Sequence, residues 1–212
     1  MLDPEAEDAN LERLRGEAAG CRACGLWAEA TQTVFGEGPP GAGLFLIGEQ
    51  PGDKEDREGR PFVGPAGRLL DDALEQAGID RLGVFLTNVV KHFAWVPKGK
   101  RRIHRKPTLA EVHACRPWLD AELEAVHPQV VVCLGATAAQ ALLGQSFRVT
   151  ADRGKVLSWE GRQLVATVHP SSILRVQDGQ ARREQMAAFV EDLKVAAGLL
   201  RDARGSRRAA GS

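Results

Sequence analysis

The sequence predicts an α/β fold built on a mostly parallel four-stranded sheet. Three observations carry that reading. Four short apolar runs, Leu44–Ile47, Val84–Val90, Val130–Leu134 and Leu164–Val168, are rich in β-branched, Leu and Phe residues, as strands covered on both faces require. Helix-period segments separate them, and strands alternating with helices favour parallel pairing through crossovers. Two long polar excursions leave the carboxyl ends of the first two strands, where open parallel sheets bind ligands.

The elements follow in chain order. Glu5–Ala19 reads as a helix ahead of the first strand. After that strand, Gln50–Pro65 is too long for a compact connection. Gly67–Ala77 places Leu69, Leu70, Ala73, Leu74 and Ala77 on one helical face. The second excursion, His92–Pro107, has neither helix nor strand period. Pro107 and then Thr108-Leu109-Ala110-Glu111 form a capping-box pattern that opens a helix to Val126. Ala136–Leu143 is a shorter helix after Gly135. Val156–Trp159, Glu160-Gly161 and Gln163–Val168 read as a hairpin that feeds the last strand. Gln185–Leu200 closes the fold with Phe189, Leu193, Ala196 and Ala197 on its apolar face. Residues 1–200 are expected to form a single domain, with 201–212, rich in Arg, Ala, Gly and Ser, as a disordered tail.

Composition narrows the function classes. Lys plus Arg and Asp plus Glu both total 28, so no global basic field marks a nucleic-acid binder, and any such contact has to come from local clustering. No apolar run reaches the ~18 residues of a membrane span. Met1-Leu2-Asp3-Pro4-Glu5 is acidic and lacks a signal-peptide core, so a cytoplasmic location with reduced cysteines is expected. In that setting Cys21-Arg22-Ala23-Cys24 reads as metal or redox chemistry. Cys133 lies inside an apolar strand, where cysteine acts as a small hydrophobe, and is excluded as a ligand.

The most telling run is Lys100-Arg101-Arg102-Ile103-His104-Arg105-Lys106, with Lys98 just before it. Alone, such a run is commonly a solvated surface. It gains meaning beside Gly48-Glu49-Gln50-Pro51-Gly52 and His169-Pro170-Ser171-Ser172. The first of these continues through Glu55, Asp56, Gly59, Arg60, Pro61, Phe62, Val63 and Gly64, where glycines admit a ligand closely and Phe62 offers a stacking face.

Over about residues 20–198 this combination resembles the family 4 uracil-DNA glycosylases. That family has Gly-Glu-Ala-Pro-Gly, Glu-Asp-x-x-Gly-Arg-Pro-Phe-Val-Gly, a strand-end Thr-Asn and His-Pro-Ser. Here these stand as Gly48–Gly52, Glu55–Gly64, Thr87-Asn88 and His169–Ser172. Two departures, Gln50 for Ala and the longer segment holding Lys100–His104, are similar to the UdgX branch, whose members become covalently trapped on uracil-containing DNA. The resemblance implies a three-layer α/β/α sandwich.

It also implies roles for single residues. Phe62 stacks on a flipped uracil and Asn88 reads its polar edge. His169 hydrogen-bonds the uracil carbonyl and stabilises the departing base. Glu49, Gln50, Asp53 and Asp56 line the sugar side, with Gln50 counted among the uracil contacts. Lys100, Arg101, Arg102, Arg105, Arg175, Ser171 and Ser172 hold DNA, and Ile173 and Leu174 enter the duplex. His104 attacks the sugar carbon left by uracil, its imidazole kept neutral by the cations Arg102 and Arg105. Glu49 or a neighbouring carboxylate then takes the proton of the other ring nitrogen, which makes the bond durable.

The family's third cluster cysteine falls at Lys91-His92, so the implied set is Cys21, Cys24, His92 and Cys115 around a [4Fe–4S] cluster. By donor chemistry alone, three thiolates and one imidazole suit zinc well, whereas iron–sulfur clusters normally take four cysteines, with imidazole ligation known. The expected partner is uracil-containing DNA, single- or double-stranded, bound by a monomer, with no membrane. A conventional turnover glycosylase and a non-catalytic metal-stabilised DNA-binding module are the competing readings.

Overall fold

The computed structural model describes residues 4–210, with side-chain surroundings for residues 7–203. Helix α1 (Pro4–Ala19) precedes strand β1 (Leu44–Gly48), short helix α2 (Asp53–Glu58), helix α3 (Pro65–Gln76) and strand β2 (Val84–Asn88). A hairpin of β3 (Trp95–Lys98) and β4 (Arg101–His104) comes next. It is followed by α4 (Leu109–Val126), β5 (Val130–Leu134), α5 (Ala136–Leu143) and α6 (Val149–Asp152). Strands β6 (Val156–Trp159) and β7 (Arg162–Thr167) and helices α7 (Pro170–Leu174) and α8 (Gly179–Ala210) complete the chain.

The main sheet has five strands in the order β2-β1-β5-β7-β6. The pairs β1–β2, β1–β5 and β5–β7 are parallel, and β6–β7 is antiparallel. The expected count of four is corrected to five. The hairpin foreseen at 156–168 adds its first arm as an edge strand, whose exposure alternates with solvent, so it lacks the unbroken apolar run of a covered strand. The four covered strands stand where the apolar runs place them.

Alternation along each strand makes three layers. Phe45, Ile47, Phe85, Val131, Cys133, Leu164 and Ala166 face one way and pack with Leu11 and Leu14 of α1 and with Leu119 and Leu123 of α4. Leu44, Leu46, Leu86, Val130, Val132 and Val165 face the other way, onto Leu70 and Leu74 of α3 and Phe189 and Leu193 of α8. Each fully buried Leu, Ile or Phe contributes about 1.5–3 kcal/mol. This is the α/β/α sandwich that was expected.

The two excursions are structured. The first holds α2, which stops at Gly59 in the left-handed conformation (φ 73°). The second, read as aperiodic, is the β3–β4 hairpin, with Trp95 opposite His104 and Pro97 opposite Arg102. Its turn is Gly99-Lys100, with Gly99 at φ 59°. A two-stranded ribbon with exposed Val96 and Ile103 and cations on both faces carries no apolar/polar alternation, which is why its period is hidden. Helix α4 opens on the capping box at Thr108 and Glu111. Helix α8 passes Arg201, where order was expected to end, and runs to Ala210; residues 211–212 lie outside the described residues. No helix among the described residues is long and apolar enough to cross a membrane.

Candidate active site

Strand β1 has β2 on one side and β5 on the other, so a crevice opens at the carboxyl ends where the connections diverge. Gly48 and Glu49 leave β1, Asn88 ends β2, Gly135 and Thr137 follow β5, and His169 follows β7. All of these stand at one edge of the sheet.

A cavity of 580 Å³ lies there, lined in part by Gln50, Phe62, Asn88, His104 and His169. A second space of 480 Å³ shares Gln50, His104 and His169 and adds Glu49, Thr137 and Lys106. His104 therefore stands between the two.

Phe62 is 6 % exposed and sits at φ 57°, a conformation rare for a bulky residue and typical of functional sites. Its ring lies 6.2 Å from that of His169, at 28° between planes. Two glycines make this possible. A Cβ on Gly67 would stand 1.7 Å from the Phe62 carbonyl oxygen. One on Gly48 would meet Asn88 Oδ1 at 2.3 Å and the Phe62 ring at 2.7 Å.

His169 caps α7. Its Nδ1 accepts the Ser171 backbone N–H at 3.2 Å and lies 2.8 Å from Ser171 Oγ. Burial, with His104 and Arg175 nearby, pushes its pKa down to about 4. The ring is thus neutral near pH 7, and with Nδ1 an acceptor its proton sits on Nε2.

Glu49 is gripped from one side, where the Thr137 hydroxyl donates to Oε2. Its Oε1 lies 3.5 Å from His104 Nε2. Burial lowers the His104 pKa below 6.5, Glu49 opposes this, and Arg175 adds to it. The expected cause, Arg102 and Arg105, is corrected, because carboxylates neutralise both cations. Arg102 bonds Asp53 at 2.5 Å and Asp56 at 2.6 Å. Arg105 makes a two-pronged bond with Glu111 at 2.7 and 2.9 Å, and Glu111 is held down to about 2, chiefly by that bond.

Other expected residues have partners that redirect their roles. The Gln50 amide donates to the carbonyls of Ala94 (3.2 Å) and Arg105 (2.8 Å) and accepts the Ala94 N–H (2.9 Å). It clasps the hairpin at both ends. Asp56 is fully buried, accepting from Thr31 N–H and Arg102. Asp53, bonded to Arg57 and Arg102, still lines the main cavity. Lys100, Arg101 and Arg175 are exposed, as is Lys106. Ile173 is 0 % exposed in the core under α3 and offers nothing to DNA, whereas Leu174 lines the main cavity.

Cys21 and Cys24 both follow the end of α1, and Cys115 comes from α4. The Trp118 indole N–H donates to Cys21 Sγ at 3.2 Å and the Lys91 backbone N–H to Cys115 Sγ at 3.1 Å. The three thiols are close enough to repel one another's ionisation. Among the described residues no three His, Cys, Asp or Glu side chains converge tightly enough for one metal ion. The Trp118 and Lys91 N–H groups aimed at sulfur suit thiolates of a zinc site or of an iron–sulfur cluster alike. His92, neutral through burial, has its Nε2 3.0 Å from Thr33 Oγ1, so its ligation would use Nδ1 or break that contact. Cys133 is 0 % exposed, and burial raises its pKa to about 12, in keeping with its exclusion.

Thr137, Lys91, Glu122 and the Glu111 link to Arg105 were missed by the sequence reading. Only Glu111 left a signal, as the capping-box acid six residues beyond Arg105.

The chain matches the uracil DNA glycosylase superfamily over residues 35–194. It is 38 % identical over 178 residues to a type-4 uracil-DNA glycosylase of Thermotoga maritima, covering 83 % of this chain and 87 % of the relative. It is 36 % identical over 174 residues to one from Sulfurisphaera tokodaii, covering 78 % and 76 %. A type-5 uracil-DNA glycosylase of Thermus thermophilus is 33 % identical over 208 residues, covering 89 % and 90 %.

Proposed function

The chain belongs to the uracil DNA glycosylase superfamily, and from that premise we propose that it is a uracil-DNA glycosylase of the UdgX kind, which releases uracil and bonds itself to the sugar through His104. The observation that carries the finer reading is His104 itself, with Nε2 3.5 Å from Glu49 and its ring on the wall between the two cavities.

The target nucleotide has to leave the stack, at a cost of a few kcal/mol. Phe62 stacks on the base and Asn88 bonds its edge. His169 Nε2–H donates to a uracil carbonyl oxygen, where negative charge grows as the bond between base and sugar breaks. The electron pair leaves with the base, and the sugar carbon becomes cationic. Glu49, oriented by Thr137, faces that carbon and stabilises it.

The His104 Nε2 lone pair then forms the new C1′–N bond. A positioned group competes at an effective molarity of roughly 10⁵–10⁸ M, which is how it outruns water. The product ring is an imidazolium with its remaining N–H on Nδ1. That proton passes to the departed uracil anion or to solvent, leaving a neutral alkylated imidazole. Reversal would then expel imidazolide, a poor leaving group. Glu49 faces the attacking nitrogen, so the expected transfer of the other nitrogen's proton to Glu49 gives way to its loss to uracil or solvent.

Lys100, Arg101, Lys106 and Arg175 remain for phosphate, while Arg102 and Arg105 fasten the hairpin. Cys21, Cys24, Cys115 and His92 would hold a [4Fe–4S] cluster, whose contribution is to cross-link the N-terminal segment, the turn after β2 and α4. The protein acts as a monomer on uracil-containing DNA.

Incubation with a uracil oligonucleotide and a denaturing gel tests the proposal. A slow-migrating protein–DNA band is expected from the native chain and none from His104→Ala. Free abasic product with no band from the native chain would reduce the protein to a turnover enzyme.

A further inference from the structure

Lys91 is charged, fully buried and unused by the chemistry above. Its side chain is 1 % exposed and that of Glu122 is 0 %. Its Nζ donates at 2.7 Å to Glu122 Oε2, to Thr87 Oγ1 and to the Asn88 carbonyl, so all three ammonium protons are engaged. Glu122 Oε1 accepts the Gly36 N–H at 2.8 Å. The Lys91 backbone is bound as firmly, its N–H to Cys115 Sγ at 3.1 Å and its carbonyl to Val34 N–H at 2.7 Å.

A buried ion pair is a poor way to gain stability, because apolar residues of the same volume often serve as well. What this pair achieves is geometric. Cys115 and Glu122 lie seven residues apart on α4, two turns along one face. Both grip Lys91, and Lys91 grips the last two residues of β2. The turn that follows is tied back to the catalytic strand by Val89 N–H to Gly48 O and Val90 N–H to Glu49 O, both at 3.0 Å. Asn88 has little room to move, since its Oδ1 already occupies the space a Gly48 side chain would need.

We infer that Lys91, braced by Glu122, is a positioning residue that holds Asn88 in place for the uracil edge and fastens that edge to the cysteine-bearing helix. The inference rests on Asn88 reading uracil. Without the ammonium, the Asn88 carbonyl and the Thr87 hydroxyl lose their shared anchor and the Asn88 amide drifts from its partner atoms on the base. DNA backbone contacts, made by other elements, are untouched.

The test uses a double variant, Lys91→Met with Glu122→Gln, which removes the ammonium without stranding a buried charge. Two quantities are measured on the full chain: the constant for inhibition of single-turnover excision by free uracil, and affinity for DNA bearing a tetrahydrofuran abasic analogue. The first should weaken about tenfold, as expected for one misplaced hydrogen bond, with the second unchanged. A merely structural role would lower the active fraction and leave the uracil constant alone. Asn88→Ala is the control. If it weakens uracil inhibition and the folded double variant does not, the Lys91 inference is overturned. If Asn88→Ala itself has no effect, the reading of Asn88 fails and takes the inference with it. Should the double variant not fold, Thr87→Val decides by the same comparison, a weakened uracil constant supporting the role and an unchanged one refuting it.

Discussion

Protonation decides what single residues can do. In the proposed chemistry His104 attacks only as neutral imidazole, and burial lowers its pKa from 6.5. As pH falls, the nucleophile is lost on passing through that lowered value. The acid midpoint of crosslinking, followed on denaturing gels from pH 8 downward, should therefore lie below 6.5; a midpoint above it would contradict the burial argument. Thr137 supplies a second check. Its hydroxyl fixes one oxygen of Glu49 and leaves the other for His104. Thr137→Val keeps the shape and removes that bond, and single-turnover excision should slow about tenfold, the worth of one hydrogen bond to a charged group. Unchanged kinetics would remove Thr137 from the site. Thr137 was not legible in the sequence, because a Thr in the first turn of a helix has no mark that separates a capping role from a catalytic one. His169 and Glu49 stand in motifs just past strand ends, and Phe62 in a glycine-flanked motif between α2 and α3, which is why the sequence singled them out.

Among the elements, the β3–β4 hairpin is the one that would decide between trapping and turnover in the proposed chemistry. It is held by Gln50 at its base, by Arg102 on Asp53 and Asp56, and by Arg105 on Glu111. Its cations were read from sequence as one basic cluster, yet two of the five face inward as fasteners. A string of Lys and Arg does not disclose which members have carboxylates waiting, since Asp53 and Asp56 lie about 50 residues away in the chain. Gln50→Ala removes three hydrogen bonds to the hairpin and loosens His104. Because small misplacements of a reacting group are costly, adduct formation should fall by roughly a hundredfold. Free abasic product should rise as water reaches the sugar. Adduct formation at the native rate would mean that Gln50 does not hold the hairpin. The covered strands were legible from their apolar runs. The hairpin was not, because a ribbon exposed on both sides needs no apolar period.

At the scale of the whole molecule, a net formal charge of zero places DNA attraction in a few exposed cations around the crevice. Capture before the covalent step should weaken as salt rises. Lys100→Ala should reduce the slope of log affinity against log salt by about one. An unchanged slope would place the phosphate elsewhere. An adduct already formed should survive high salt. The α/β/α layering followed from apolar runs and helix periods, since burial leaves its mark along the whole chain. The cysteine set was legible from its spacing, whereas the group it would hold was not, because thiolates and an imidazole serve zinc and iron–sulfur clusters alike.

Under the proposed chemistry one imidazole takes the place of water at the sugar carbon. Proteolysis of the protein after reaction with a uracil oligonucleotide, followed by mass spectrometry of the nucleotide-bearing peptide, tests it most directly. The added deoxyribose should map to His104. Its placement on any other residue, or its absence from every peptide, would contradict the account.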